Sequence, residues 1–178
     1  MSIHYFTFIV DGPDLQDDTL IDAVFEAGCG DAAIGRIDGI QYVDFDREAP
    51  SLDDAILSAV TDLERIDGVD VVRIADAGLV SMADIAVRLG RTREGVRLLI
   101  TGARGPGGFP PPVTDPRSRY RLWRWSDVAH WCTNHLGEDL ADQGDEVLAA
   151  FNASLELRHH RRRLAPPDQA RLEALAGL

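Results

Sequence analysis

Lysine is absent from this chain: all 18 basic residues are arginine. A GC-rich coding sequence enriches arginine codons everywhere, so this absence carries little functional weight by itself. Cysteine is scarce, with Cys29 and Cys132 far apart and no ligand cluster beside either. That argues against a disulfide framework and a structural zinc site, and predicts two reduced, half-buried thiols of a cytoplasmic protein. No apolar run approaches the length of a membrane span, and Met1-Ser2-Ile3-His4-Tyr5 puts no basic segment ahead of a cleavage site. The chain is therefore predicted to be neither secreted nor inserted in a membrane. What is present suits a globular protein. The 178 residues are 45% hydrophobic, enough for one ordinary domain or two small ones with a real core.

The net charge of −12 hides a segregation. Residues 1–80 hold 4 arginines against 18 acids, residues 81–131 hold 9 against 4, and residues 132–178 hold 5 against 8. A basic block between acidic flanks has the pattern of a nucleic-acid footprint, because phosphate contacts need local rather than global positive charge.

Over residues 1–76 two periodicities alternate. Ile3–Val10 reads as a strand stopped by Asp11-Gly12-Pro13, and Leu20, Ile21, Val24 and Phe25 fall at helical spacing before Gly28. Ala32–Ile37 and Ile40–Phe45 flank Asp38-Gly39, a two-residue hairpin signal. Ser51 caps a helix to Glu64, and Val69–Ile74 is a last strand. The order β-α-β-β-α-β predicts an acidic ferredoxin-like domain, α+β in class. That arrangement serves enzymes, sensors and dimerisation modules alike, so it says little about function.

A second segment starts at about Leu79. Ser81 caps a helix to Leu89, with Asp84 in capping-box relation, and Gly90 suits a left-handed turn. Thr92 then caps a second helix to Ile100. Ile85, Ala86 and Leu89 line the inner face of the first helix, and Val96 and Leu99 that of the second. Such spacing predicts a helix-turn-helix, with Arg93, Glu94 and Arg97 facing outward. Arginine can fork onto guanine O6 and N7, and glutamate can accept from cytosine N4. Gly102 and Gly105-Pro106-Gly107-Gly108 end the helix. Phe109–Val113 and Tyr120–Trp125 read as two extended arms around a tip at 114–119. On the second arm Arg117, Arg119 and Arg121 alternate onto one face, with Tyr120, Leu122 and Trp123 on the opposite, inward one. Ser126 reads as the cap of a third helix reaching His135 or Leu136. Trp125 and Trp131 read as core fixing arm to helix, with base stacking by the tryptophans as the alternative.

The helix pair, Phe109-Pro110-Pro111-Pro112-Val113, the arginine-rich arm, and Trp123-Arg124-Trp125-Ser126-Asp127-Val128-Ala129-His130-Trp131 together resemble the MerR superfamily, and most closely its AlpA and excisionase-like winged-helix branch. The resemblance covers about residues 79–136. It implies a winged helix-turn-helix domain that binds double-stranded DNA, the second helix in the major groove and the wing on backbone or minor groove. By position, Thr92, Arg93, Glu94 and Arg97 take the recognition-helix roles, and Arg117, Arg119 and Arg121 the wing. Arg91, Arg104 and Arg124 of the same basic block complete the predicted DNA-binding set. The Gly102–Gly108 insert departs from the family pattern and leaves open the path from recognition helix to wing.

Residues 138–178 read as a helical extension, with helical pattern at 141–161 and at 168–176 after Pro166-Pro167. Arg158-His159-His160-Arg161-Arg162-Arg163 is read as a solvated helix end complementing the helix dipole, with a phosphate contact as second reading. Adjacent His159 and His160 point about 100° apart and make a poor metal pair. Asp11, Asp14, Asp17 and Asp18 suit helix-dipole pairing better than a divalent ion, since no EF-hand spacing is present. No Ser/His/Asp or Cys/His constellation and no P-loop can be assembled. The prediction is a non-enzyme without cofactor or metal: a transcriptional regulator, cytoplasmic and nucleoid-associated. It would act as a homodimer or higher homo-oligomer, since one reader spans few base pairs. The alternative is an adaptor, or an antitoxin-like or defence-accessory factor, whose acidic residues 1–76 bind a basic protein.

Overall fold

A computed structural model describes residues 1–75, 78–138, 140 and 143–177. In chain order the elements are β1 (Ser2–Asp11), α1 (Asp18–Glu26), β2 (Ala32–Ile37), β3 (Ile40–Ala49), α2 (Leu52–Leu63) and β4 (Asp70–Ile74). There follow β5 (Leu79–Ser81), α3 (Met82–Arg88), α4 (Arg93–Ile100), β6 (Leu122–Arg124), α5 (Trp125–Leu136), α6 (Gln143–Arg161) and α7 (Pro166–Ala176). The class is α+β, with a four-stranded and a two-stranded antiparallel sheet among the described residues. The chain divides into two compact units, Met1–Ala75 with Ala150–Leu178, and Asp76–Ala149.

In the first unit the sheet order is β2-β3-β1-β4. Asp38 (φ 51°) and Gly39 (φ 83°) both lie in the left-handed region, so the β2–β3 turn matches the twist of its strands. Asp17 caps α1 and Ser51 caps α2 through their side-chain oxygens. Phe6, Phe8, Val43, Phe45, Val71 and Ile74 form the inner sheet face, beneath Ala55, Ile56, Ala59 and Leu63 of α2. Thr7, Asp44 and Asp46 alternate onto the other face. β3 runs four residues beyond the predicted Phe45, because Arg47 is buried rather than strand-ending. Its guanidinium donates to Asp31 at 2.8 and 2.9 Å, Asp62 at 2.7 Å, Ser58 at 3.2 Å and the Gly28 carbonyl at 3.1 Å. These partners stand on α2 and in the segment after α1.

Strand β4 is a sheet edge, and side chains satisfy its outer backbone groups. Val71 N–H donates to Glu64 at 3.2 Å, the Val71 carbonyl accepts from Arg158 at 3.3 Å, and Ile74 N–H donates to Asn152 at 2.8 Å. The basic run closing α6 is solvated from His160 to Arg163, as predicted, while Arg158 and His159 turn toward the sheet. Arg158 pairs with Glu64, His159 and Arg162 both pair with Asp70, and Arg163 reaches Asp11 at 2.8 Å. Acids distant in sequence thus engage Arg158, Arg162 and Arg163, which the sequence alone did not show, while Arg161 pairs with Glu173 of α7. Asp14 pairs with Arg36 at 2.6 Å, so of the four N-terminal aspartates Asp17 serves α1 as its cap and two others serve arginines.

In the second unit α3 and α4 form as the sequence predicts. Ser81 and Asp84 close a capping box, Gly90 turns the chain at φ 58°, and Thr92 accepts from Gly95 N–H at 3.0 Å. Val80, Ile85, Ala86, Val96, Leu99, Val128 and Ala129 share one core with all three tryptophans and Cys132. Trp123, Trp125 and Trp131 are only 1%, 6% and 5% exposed, so none offers a ring to stack on a base. Both cysteines are free and fully buried rather than half-buried.

The two-arm wing differs from its prediction. β6 pairs with β5, Val80 opposite Trp123, and not with residues 109–113. A backbone bond from Val113 N–H to the Leu122 carbonyl, 2.8 Å, joins the two segments, because Pro110, Pro111 and Pro112 have no N–H to offer. The Leu122 N–H goes instead to Thr114 Oγ1 at 3.1 Å. α5 starts at Trp125, whose N–H donates to the Gly78 carbonyl at 2.6 Å, so Ser126 lies inside the first turn and is not the cap. The glycine-rich insert and the proline arm after it are each pinned at one carbonyl. Trp131 Nε1 donates to Gly107 at 3.0 Å and Trp123 Nε1 to Pro110 at 3.1 Å, and Phe109 packs 5.0 Å from the Trp131 ring.

Candidate nucleic-acid interface

The inner face of α4 packs into the core of the second unit. Val96 and Leu99 are buried, so the exposed side of the helix carries Arg93, Glu94 and Arg97, as predicted. Arg93 opens the helix and lines a groove together with Arg119, Arg121 and Tyr120 from the segment before β6, and with Ser81–Ala83 at the start of α3. Three arginines from two separate parts of the sequence thus line one concavity. No carboxylate pairs with any of them among the described residues. Arg121 is half-buried with its guanidinium 5.6 Å from the centre of the Trp123 ring, and Arg119 sits 5.8 Å from that of Tyr120. Aromatic faces attract these cations and leave their N–H groups free to donate elsewhere.

The alternation predicted for Arg117, Arg119 and Arg121 does not hold, because residues 114–121 form turns rather than strand. Asp115 accepts from Arg117 N–H at 2.9 Å and from the Arg117 guanidinium at 3.0 and 2.8 Å, and Ser118 Oγ accepts from Tyr120 N–H at 3.1 Å. The hydrogen bonds from Arg117 hold the Asp115 carboxyl below its ordinary range. Arg117 is therefore spent on its own turn. Tyr120, predicted to face inward, is 76% exposed and stands at the groove. Asp115-Pro116 and Ser118 are turn signals that fit the tip predicted at 114–119, and the turn simply runs two residues further than the predicted tip, past Tyr120.

The other predicted residues lie in three settings. Arg97 is held by Glu94, Nε to Oε2 at 2.8 Å and Nη2 to Oε1 at 2.6 Å. Those bonds hold the Glu94 carboxyl below its usual range and raise the Arg97 guanidinium above its own. Arg91 pairs with Glu138 at 2.6 Å, after α5, and lies outside the groove. Arg104 is exposed and Arg124 half-buried, and neither has a carboxylate partner among the described residues. Thr92 acts through its cap. Arg88 of α3, absent from the predicted set, lays its guanidinium 4.8 Å from the centre of the Trp125 ring at the start of α5. No cluster of His, Cys, Asp and Glu suited to a metal ion occurs among the described residues, and no helix there is long and apolar enough to cross a membrane. Comparison with protein-family models, curated proteins and solved structures found no match.

Proposed function

We propose that this chain is a sequence-specific DNA-binding protein whose residues 78–136 read double-stranded DNA as a winged helix-turn-helix. In this reading α4 enters the major groove while the turn segment 114–121 and β6 contact backbone or minor groove. One observation carries it: Arg93, Arg119 and Arg121 converge on one groove with no carboxylate partner among the described residues. Cations so placed lose little by meeting phosphate, whereas Arg158, Arg162 and Arg163 would have to give up existing ion pairs. The MerR-type resemblance over residues 79–136 supports the same reading through its motif order. The strand order β2-β3-β1-β4, with α2 on the inner face, supports a ferredoxin-like assignment for residues 1–76. Its acidity would turn that domain away from the duplex and suppress non-specific binding. A homodimer presenting two half-sites would supply the affinity that one small reader lacks.

Mobility-shift titration of a randomised duplex pool tests this with the full chain, Arg93→Ala and Arg121→Ala. Each substitution should weaken binding several-fold. Wild-type affinity in both variants, or no binding by the wild type, would sink the assignment.

A further inference from the structure

The outward face of α4 carries two arginines one helical turn apart, and their surroundings differ. Arg93 has no carboxylate partner among the described residues and lies in the cationic groove. Arg97 is gripped by Glu94, both carboxylate oxygens engaging the Nε and Nη2 edge of the guanidinium. A guanidinium has five N–H groups, and this grip uses two of them. The outer edge, built from Nη1 and the second Nη2 hydrogen, remains free, and Arg97 stays about half exposed. That edge is the one that forks onto guanine O6 and N7.

We infer that Arg97 reads a guanine through this free edge, and that Glu94 is the positioning residue that aims it. The inference rests on the DNA-binding reading above and divides the labour within it. Paired with Glu94, Arg97 adds almost no net charge, so it contributes little as a phosphate contact. Its hydrogen-bond donors survive, and a side chain already held in one rotamer loses less freedom on docking. Arg93, Arg119 and Arg121 keep their charge and take the phosphates. Glu94 also repels misplaced phosphate, which costs general affinity and favours the register in which a base edge meets the fork.

The test is selection from randomised duplexes followed by salt titration, using the full-length wild type, Glu94→Gln, Arg97→Ala and Arg97→Lys. The wild type should enrich guanine at one position by about ten-fold or more. Both Arg97 variants should lose that preference, lysine included, because it keeps the charge but has no fork. Glu94→Gln should weaken the guanine preference several-fold and steepen the salt dependence by about one unit of slope per reader, since it unmasks a charge. An Arg97→Ala protein that selects the same guanine overturns the inference, as does one that loses affinity equally for all sequences with a shallower salt slope. Full guanine preference in Glu94→Gln removes the positioning role. If the wild type selects no sequence, the DNA-binding reading itself fails first.

Discussion

Salt dependence gives the groove a number. Each phosphate neutralised on duplex DNA releases counterion equivalent to about 0.9 in the slope of log K against log salt. Three guanidiniums line the groove, Arg93, Arg119 and Arg121. Per reader the expected slope is therefore about −2.7, which is an affinity loss of roughly 40-fold between 50 and 200 mM salt. A dimer engaging two half-sites doubles the slope to about −5.4. The double variant Arg119→Ala/Arg121→Ala leaves one groove cation, so its slope should fall to about −0.9 per reader, and the same salt step should cost only about 4-fold. Fluorescence anisotropy on a labelled duplex at four salt concentrations measures this directly. Arg171→Ala, which removes an exposed cation of α7 paired with Asp168, is the control and should keep the wild-type slope. A double variant with an unchanged slope would mean that these guanidiniums do not meet phosphates, and the convergence in the groove would lose its meaning.

Two further outcomes test the packing that supports the site. Arg47→Met leaves Asp31 without its ion pair and Asp62 with Arg65 alone, in a partly buried setting, and should destabilise the first unit by about 3 kcal/mol, which moves its urea midpoint by about 2 M in far-UV circular dichroism. Tryptophan fluorescence, confined to the second unit, separates the two. Hydrogen bonds from Arg47 hold the Asp31 carboxyl below its ordinary range, so this stabilisation is present above about pH 4 and is lost as pH falls further. The gap between wild type and Arg47→Met should accordingly narrow in acid, and a gap that is flat across that window would contradict the pairing. Burial pushes the Cys29 and Cys132 thiols up to about 11, so both should react slowly with a disulfide reagent at pH 8 and quickly in denaturant. Fast reaction of either in the native protein would show the core to be open there.

Elements whose defining bonds close within a few residues were legible in the sequence. The Ser81–Asp84 box, the Gly90 turn and the Thr92 cap span three or four residues each, and α3 and α4 form between the limits they set. The Asp38-Gly39 hairpin and the alternation in β1 and β3 follow from the same short-range geometry. The face of α4 that carries Arg93, Glu94 and Arg97 could be named because helical spacing puts Val96 and Leu99 beneath it. Where the reading failed, the partner lay far along the chain or the local rule was misapplied. Spacing cannot tell a strand alternation from a run of turns, so Tyr120 and Arg117 were assigned to a strand that begins only at Leu122.

The sequence by itself therefore determined which side chains share a helix face and where the turns fall, since bonds between near neighbours need no other part of the molecule. Tertiary structure decided which cations stay free. Glu64, Asp70 and Asp11 pair with Arg158, Arg162 and Arg163 from positions about 90 to 150 residues away. Arg119 and Arg121 instead come to rest beside Arg93 and facing aromatic rings. Charge counted along a chain cannot distinguish these outcomes, because the energy of an ion depends on what packing brings within a few ångströms of it.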